Sequence, residues 1–213
     1  MFTGLIRHLG TLDSRRPRPG GARLGVGVPA ELLDRLDPGS SIAVNGACLT
    51  VAVRGTAGFE ADLSEETLRR TTLGSLPIGA ILNLEPSLRA GDPLDGHLVA
   101  GHVDAVARLL VRPPDEGAWR FSLPPELAPM LASKGSVAVD GISLTVVECG
   151  PDGFNAALIP ETVRATRLRL LQPGDAVNLE ADPVGRYVAR QLELRASGEI
   201  LARFAQAGWL DRG

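Results

Sequence analysis

Apolar and polar residues alternate over two stretches of the chain, and a turn interrupts each alternation once. In the first stretch, IAV (42–44) is followed by Asn45-Gly46 and then by ACLTVAV (47–53). In the second, VAV (137–139) is followed by Asp140-Gly141 and then by ISLTVVE (142–148). Asn-Gly and Asp-Gly between alternating segments favour a two-residue β-turn. Each stretch is therefore predicted to form a β-hairpin with one buried face.

The two predicted hairpins belong to an internal repeat. Residues 39–51 (GSSIAVNGACLTV) align with residues 134–146 (KGSVAVDGISLTV) at an offset of 95. Without a gap, 22 of the 45 positions in 41–85 are identical to those in 136–180, and this self-similarity indicates a duplicated unit. At the start of each unit, TGLI (3–6) aligns with AGHV (100–103). The chain is therefore predicted to contain two copies of one fold.

Turn residues at short intervals predict further strands in each copy. FEADL (59–63) and FNAAL (154–158) indicate strands, SEETLRR and PETVRAT one or two helical turns, and AILNLE and DAVNLE a last strand. Short strands at this spacing favour a small closed barrel of about six strands. The predicted fold is all-β, with two similar six-stranded antiparallel barrels over 1–87 and 88–184. A C-terminal α-helix and tail are predicted over 185–213.

Residues 184–207 lack the turn pattern of the barrels, and their first part predicts a helix. Apolar residues recur there at helical spacing in two stripes: Val184, Tyr187, Val188 and Leu192, and then Ile200, Leu201 and Phe204. Such a helix either packs on its own barrel or joins a second copy of the chain. The second role is favoured because two closed barrels leave little groove for a helix.

Composition and charge exclude several classes of function. Hydrophobic residues are 44% and charged residues 22% of the 213 positions, as is typical of a globular protein. A net charge of -3 and 4% aromatic residues argue against nucleic-acid binding. No apolar run predicts a membrane span or a signal peptide, so no membrane contact is expected. The two cysteines, Cys48 and Cys149, form no CxxC pair and favour a reducing, cytoplasmic setting.

A duplicated barrel creates two similar pockets. Fused copies often keep one working site or none, and the alternative is a protein that binds two copies of one ligand or joins two similar ones. Polar residues are identical between the copies at several positions, among them Ser41/Ser136, Thr50/Thr145, Glu66/Glu161, Thr67/Thr162 and Asn83/Asn178. Part of this identity has a local explanation, because Thr favours strands and both Thr and Glu stabilise helix starts. A strand end that runs into a helix nevertheless offers free backbone N–H groups and hydroxyls to a ligand.

Three differences between the copies would make the two pockets chemically unequal: His102 aligns with Leu5, Cys48 with Ser143, and Lys134 with Gly39. His97 and His102 are five residues apart, which places them on opposite faces of a strand. That spacing argues against a shared metal, and no other cluster of metal ligands is evident. No metal site is predicted.

The longer motifs resemble those of one enzyme family. They are MFTGLI, SIAVNGACLTV, DLSEETLRRTTLG, NLEPSL, GHLVAGHVD, GSVAVDGISLTVVE, LIPETVRATRL and VNLEADPVGRYVARQL. They are long, they occur in a fixed order, and several are doubled. Together they resemble the riboflavin synthase family of the alpha-chain type, a family of lumazine-binding double barrels, and the resemblance covers residues 1 to about 195.

The resemblance implies a reaction and an assembly. Each barrel of the family binds one 6,7-dimethyl-8-ribityllumazine, and a four-carbon unit moves from one lumazine to the other. The products are riboflavin and 5-amino-6-(ribitylamino)uracil, and the resemblance implies neither a metal nor an organic cofactor. It also implies a homotrimer through the C-terminal helices, with the working site between the N-terminal barrel of one subunit and the C-terminal barrel of a neighbour. An association with lumazine synthase stays open.

Carried over motif by motif, the resemblance implies one set of substrate-binding residues for each barrel. The first-barrel set is Gly4, Leu5, Ile6, Cys48, Leu49, Thr50, Asp62, Leu63, Ser64, Glu65, Glu66 and Thr67. The second-barrel set is Gly101, His102, Val103, Lys134, Ser143, Leu144, Thr145, Ala157, Leu158, Ile159, Pro160, Glu161 and Thr162. Phe2, Ser41 and Asp182 are further candidates near the joint site.

The implied chemistry needs two flat rings held face to face. The C7 methyl of one lumazine loses a proton to give an anion delocalised through the ring, and a nucleophile adds to C7 of the other. Holding both rings removes the entropic cost of a bimolecular encounter, and proton transfer adds about a hundredfold or more. His102 is the leading candidate for the proton carrier. Cys48, Ser41 and water stay open as the nucleophile.

Two other functions stay open. Lumazine-binding fluorescent proteins share the double barrel, but they carry the ligand without turnover and typically lose pocket residues of the second barrel. This chain keeps GH (101–102), SLT (143–145) and IPET (159–162), which favours the enzyme. A purely structural barrel has no need of the doubled polar identities. The chain departs from the family pattern at Pro86, at Asp95 and in its more basic loop 15–23, all outside the pocket motifs.

Overall fold

The structure is a computed structural model that describes residues 1–114, 117–197, 204 and 206. Within these residues it contains two closed six-stranded antiparallel barrels followed by a helix. The predicted all-β fold is therefore confirmed.

The first barrel has the spatial strand order β1-β2-β5-β4-β3-β6. Its strands are β1 (His8–Arg18), β2 (Gly21–Gly27), β3 (Ser41–Val44), β4 (Ala47–Arg54), β5 (Gly58–Ser64) and β6 (Ile81–Pro86). Its helical connections are α1 (Ala30–Leu33), α2 (Glu65–Arg70) and a 3₁₀ turn (Thr72–Gly74). The helical turn predicted in SEETLRR is confirmed, whereas α1 was not predicted.

The second barrel repeats this order as β7-β8-β11-β10-β9-β12. Its strands are β7 (Ala105–Val111), β8 (Ala118–Ser122), β9 (Ser136–Val139), β10 (Ile142–Gly150), β11 (Gly153–Ala157) and β12 (Ala176–Ala181). Its helical connections are α3 (Pro160–Ala165) and 3₁₀ turns at Ala128–Met130 and Arg167–Leu170. Pro160 occupies the first turn of α3, where its missing N–H is not needed.

Each barrel is filled by the side chains that alternate inward along its strands. Leu49 and Val51 of β4 are buried, and so are their counterparts Leu144 and Val146 of β10. The first core is mainly aliphatic. The second contains Trp119, Phe121 and Phe154, and the ring centroids of the two phenylalanines are 5.5 Å apart.

The two predicted hairpin turns are confirmed, and they meet back to back between the barrels. Asn45-Gly46 has φ values of 44° and 81°, and Asp140-Gly141 has 46° and 78°, as a type I′ turn requires. A Cβ added to Gly46 would lie 2.7 Å from the backbone N of Gly141. Only glycine therefore allows this approach.

Buried polar groups join the two barrels at the same place. The Asn83 Nδ2 donates to the carbonyl of Asp140 at 3.0 Å, and the Asn178 Nδ2 donates to the carbonyl of Asn45 at 2.7 Å. The backbone N–H of Arg167 donates to the Asn83 Oδ1 at 2.8 Å. The identical pair Asn83/Asn178 therefore joins the barrels to each other.

The last helix, α4 (Pro183–Ala196), packs on the second barrel by one side. A Cβ on Gly185 would overlap the carbonyl of Met130, and Ala189 and Leu194 are buried. The predicted stripe faces outward, with exposures of 68% at Val184, 71% at Tyr187, 53% at Val188 and 60% at Leu192.

Of the second predicted stripe, Ile200 and Leu201 lie outside the described residues, and Phe204 is 44% exposed. Among the described helices, none combines the length and the hydropathy needed to cross a membrane.

Candidate functional site

Two short segments, residues 2–6 and 97–103, run between the barrels and pair with each other. The Phe2 N–H donates to the carbonyl of Val99 at 2.8 Å, and the Val99 N–H donates to the carbonyl of Phe2 at 3.1 Å. The His97 N–H donates to the carbonyl of Thr3 at 3.2 Å. Phe2 is fully buried in this pairing, and Cys48 packs against its cluster.

Each segment then continues onto the barrel formed by the other repeat. The Gly4 carbonyl accepts from the Ser143 N–H, and the Gly101 carbonyl accepts from the Cys48 N–H, both at 2.8 Å. Gly4 and Gly101 have φ values of 76° and 84°. A Cβ on Gly4 would lie 2.6 Å from the Ser143 Cβ, and one on Gly101 would lie 2.5 Å from the Cys48 Cβ. The two segments are therefore exchanged between the barrels.

This exchange corrects the predicted grouping of the site residues by barrel. We expected Gly4–Ile6 in the first barrel and Gly101–Val103 in the second, but Ile6 lies in the core of the second and Val103 packs on the core of the first. We define the first half-site as Cys48–Thr50, Asp62–Thr67 and Gly101–Val103. The second half-site is Ser143–Thr145, Lys134, Ala157–Thr162 and Gly4–Ile6.

Two buried glutamates hold the exchanged segments in place. Glu85 accepts from the N–H groups of residues 3 and 4 at 2.7 and 3.0 Å, and Glu180 accepts from those of residues 100 and 101 at the same distances. Burial raises the pKa of both carboxyl groups, and these hydrogen bonds oppose that effect. The sequence analysis did not select either glutamate as a candidate. The doubled NLE motif was the signal that could have identified them.

The first half-site lies at the end of the β4–β5 ladder of the first barrel. The pairing of β4 with β5 ends at Val51 and Ala61. Beyond that pair β4 continues beside β3, with Thr50 opposite Ser41, whereas β5 continues beside β2 as far as Ser64. Diverging strands leave backbone N–H and C=O groups without a ladder partner, so a ligand can bind to both edges.

Several implied side chains of the first half-site have local partners. Ser64 caps α2 and accepts from the Thr67 N–H at 3.1 Å. Glu66 pairs with Arg70 and Arg69, and their hydrogen bonds hold the pKa of Glu66 below its ordinary value. The cap of α2 is therefore Ser64 and not Thr67, whose Oγ1 lies 3.0 Å from the Ser64 Oγ, and Glu66 has local ion-pair partners.

Asp62 is held by the basic hairpin that joins β1 to β2. Arg23 donates to its two carboxylate oxygens at 2.7 and 2.6 Å, and Arg18 donates at 2.7 Å. The hydrogen bond from Arg23, supported by Arg18, lowers the pKa of Asp62 to about 2. The basic loop thus fixes one wall of the first half-site.

The exchange brings the three candidate catalytic residues to the same half-site. Cys48 bonds to Gly101, His102 follows Gly101, and Ser41 pairs with Thr50. His102 and Thr50 are exposed, whereas Cys48 and Ser41 are half-buried. In the residues that the structure describes, no group of three His, Cys, Asp or Glu side chains could hold a metal ion.

Lys134 in the second half-site has a backbone conformation that lysine rarely adopts. Its φ is 67°, and its counterpart in the first repeat is Gly39, with a φ of 91°. A non-glycine residue in this region is strained, and such strain clusters at functional sites. Asp182, in contrast, caps α4 by accepting from the Val184 N–H at 2.9 Å.

Sequence comparison identifies both units. The lumazine binding domain profile matches residues 3–87 and 100–182. Riboflavin synthase from Brucella abortus (strain 2308) is 42% identical over 197 residues, which cover 89% of this chain and 97% of the relative. Riboflavin synthase from Mycobacterium tuberculosis (strain ATCC 25618 / H37Rv) is 43% identical with the same coverage, and that from Actinobacillus pleuropneumoniae is 36% identical over 93% of each chain.

Solved structures show the same architecture. LumP complexed with riboflavin has a TM-score of 0.77 and 24% identity, over 85% of this chain and 99% of LumP. LumP complexed with 6,7-dimethyl-8-(1'-D-ribityl) lumazine has a TM-score of 0.76 and 23% identity over the same shares. At this identity the likeness establishes the fold alone. The profile and the sequence relatives establish the family, and the chain belongs to the riboflavin synthase family, built from two lumazine-binding domains.

Proposed function

We propose that the chain is a riboflavin synthase that converts two molecules of 6,7-dimethyl-8-ribityllumazine into riboflavin and 5-amino-6-(ribitylamino)uracil. A four-carbon unit leaves one lumazine and joins the other, so the transfer needs no external oxidant or reductant. The observation that carries the proposal is 42–43% identity, over 89% of the chain, to relatives named riboflavin synthase, of which 97% is covered. Two equivalently built half-sites in one chain suit a reaction between two copies of one molecule.

Each half-site offers groups that a flat polar heterocycle needs. The hydroxyls of Thr50 and Thr145, together with the free strand edges of the first half-site, supply donors and acceptors for the pteridine edge and the ribityl chain. His102 is proposed as the proton carrier, and Cys48, Ser41 or a water as the nucleophile. Because both rings are bound in one site, their reaction becomes effectively unimolecular. Positioning therefore supplies the largest share of the rate acceleration.

A non-catalytic lumazine carrier is the second candidate, since LumP complexes are among the solved structures that match the chain. Those proteins are 23–24% identical to this chain, whereas the relatives named riboflavin synthase reach 36–43%. The retained second half-site also favours the enzyme, because a carrier needs one site and a dismutase needs two.

Turnover separates the two candidates. EDTA-treated protein is incubated with 6,7-dimethyl-8-ribityllumazine, and flavin absorbance and the released pyrimidine are followed together. We expect both products in a one-to-one ratio without added metal or cofactor. The variant His102→Gln tests the proposed proton carrier, and we expect it to slow turnover more than it weakens lumazine binding. Binding of lumazine without any flavin would establish the carrier.

We also propose a homotrimer assembled through α4, with each working site between half-sites of neighbouring chains. The outward stripe of Val184, Tyr187, Val188 and Leu192 supports it, because four exposed apolar side chains on one helix face favour burial against another copy. A cytoplasmic setting fits the two free thiols, Cys48 and Cys149. Whether the chain associates with lumazine synthase is tested by co-elution of the two proteins.

The assembly is tested with Leu192→Glu, because a carboxylate on the stripe opposes its burial. We expect light scattering to report a smaller particle and flavin formation to fall together with the assembly. The matched control is Glu193→Lys, which changes a charge on the opposite side of α4 and leaves the stripe intact. A monomeric Leu192→Glu protein with full activity would refute the shared site.

A further inference from the structure

His97 makes a close contact that its sequence position did not predict. Its Nδ1 lies 2.6 Å from the Oγ of Ser143, which belongs to the second half-site. The exchanged N-terminal segment holds both residues, because the His97 N–H donates to the carbonyl of Thr3 and the Ser143 N–H donates to the carbonyl of Gly4. The imidazole and the hydroxyl are therefore fixed relative to each other by two neighbouring peptide groups.

The burial of the ring determines its protonation. Burial lowers the pKa of His97, and the negative charge of Asp182 opposes this only in part. The ring is therefore neutral at pH 7, with one N–H group and one bare nitrogen. Its Nε2 is buried without a hydrogen-bond partner among the described residues.

The unpartnered Nε2 favours one of the two tautomers. A buried N–H without an acceptor is rarer and more costly than a buried acceptor without a donor. The favoured tautomer thus carries its hydrogen on Nδ1 and donates it to the Ser143 Oγ. The hydroxyl hydrogen of Ser143 then stays free to donate elsewhere.

The equivalent position of the first half-site has no such contact. Cys48 occupies the place of Ser143, and its N–H donates to Gly101 as that of Ser143 donates to Gly4. Among the described residues, Cys48 has no imidazole as a hydrogen-bond partner. The imidazole–hydroxyl pair therefore makes the two half-sites chemically different.

We propose that His97 is a positioning residue of the second half-site, which directs the hydroxyl hydrogen of Ser143 toward an acceptor atom, a carbonyl oxygen or a ring nitrogen, of the bound lumazine. This inference rests on the proposed function and adds to it a residue outside the resemblance-derived site. His97 does not contact the ligand itself, and it acts only through Ser143.

A double-mutant cycle tests the proposal with His97→Leu, Ser143→Ala and the two combined. Each single variant removes the same oriented hydrogen bond, so each is expected to weaken lumazine binding at one of the two sites by about five- to tenfold. The combined variant is expected to bind no more weakly than Ser143→Ala alone, because coupled residues are not additive. His97→Asn keeps a donor at the position of Nδ1 and is expected to recover most of the loss.

Fluorescence titration of lumazine gives the affinity and number of sites, and steady-state turnover separates KM from kcat. Multiplicative losses in the double variant would overturn the proposal. So would equal losses in His97→Asn and His97→Leu at matched melting temperatures, or weakening of both sites. These outcomes leave the proposed function intact.

Imidazole ¹⁵N NMR on the ligand-free protein provides a readout that needs no activity. We expect a neutral His97 ring with its hydrogen on Nδ1, and a hydrogen on Nε2 would overturn the proposal. A wild-type protein that binds no lumazine would instead refute the proposed function, and the positioning role would fall with it.

Discussion

A buried ion pair between Asp140 and Arg167, both in the second repeat, lies at the junction of the two barrels and offers the sharpest test of how that junction is stabilised. The Arg167 guanidinium donates to the Asp140 Oδ2 at 2.5 Å, and the side-chain exposures are 8% and 0%. The Asp140 Oδ1 also accepts from the Asn178 N–H at 2.8 Å. We predict that Arg167→Thr destabilises the protein strongly, because it leaves a buried carboxylate without its counter-charge.

The expected loss follows from the burial of the pair. Removing one partner of a buried ion pair costs about 3–5 kcal/mol. With a denaturant slope of about 2–3 kcal/mol per M of urea, this lowers the midpoint of unfolding by about 1–2 M. The assay is urea denaturation followed by fluorescence at pH 7 and at one fixed chain concentration.

The chain itself provides the matched control. In the first repeat, Asn45 and Thr72 occupy the places of Asp140 and Arg167, and the Asn45 Oδ1 accepts from the Asn83 N–H at 2.7 Å. The combined variant Asp140→Asn/Arg167→Thr reproduces that uncharged arrangement. We expect it to lose less stability than Arg167→Thr, because it leaves no buried carboxylate without a counter-charge.

The pH dependence has a definite sign. Burial raises the pKa of Asp140 above its ordinary value, and Arg167 opposes that rise. An acid whose pKa is raised by folding contributes its full stability below the unfolded pKa and loses it as the pH rises through the folded pKa. Without Arg167 the folded pKa rises further, so the loss in Arg167→Thr should shrink as the pH falls from 7 toward 4. Equal losses in the single and combined variants at pH 7 would refute the reasoning.

Two further predictions concern the hairpin turns and the basic loop. Gly46→Ala is expected to cost about 2–4 kcal/mol in thermal unfolding, because its Cβ would lie 2.7 Å from the N of Gly141. Gly20→Ala has a similar φ of 77° and no atom within 4 Å, so it should cost only about 1 kcal/mol; equal losses would contradict the close approach. In an NMR titration Asp62 should titrate near pH 2, and Arg23→Ala should raise its midpoint; an unchanged midpoint would exclude that pairing.

Local patterns determined much of the fold in advance. The alternation through IAV-NG-ACLTVAV and its repeat predicted the hairpins, the β-barrel class and the duplication, because strand period and turn conformation depend on neighbouring residues. The apolar stripe of α4 was predictable for the same reason. The sequence also placed Cys48 and Ser143 at equivalent positions.

The partners of these residues in space could not be derived in the same way. The match of TGLI with AGHV aligns Gly4 with Gly101, but it does not say which barrel each segment contacts, so the grouping by barrel was wrong. The hydrogen bond from the His97 N–H to the Thr3 carbonyl and the buried positions of Glu85 and Glu180 also depend on contacts between distant residues.

The sequence by itself therefore determined the two barrels, their turns and the residue types available for chemistry. Only the tertiary structure decided which segment packs against which barrel. It also decided that the His97 Nδ1 lies within hydrogen-bond distance of the Ser143 Oγ. The physical reason is that periodicity is a property of consecutive residues. The exchange of segments depends instead on two left-handed glycines and two buried carboxylates, Glu85 and Glu180, that are brought to the junction by packing of the whole chain.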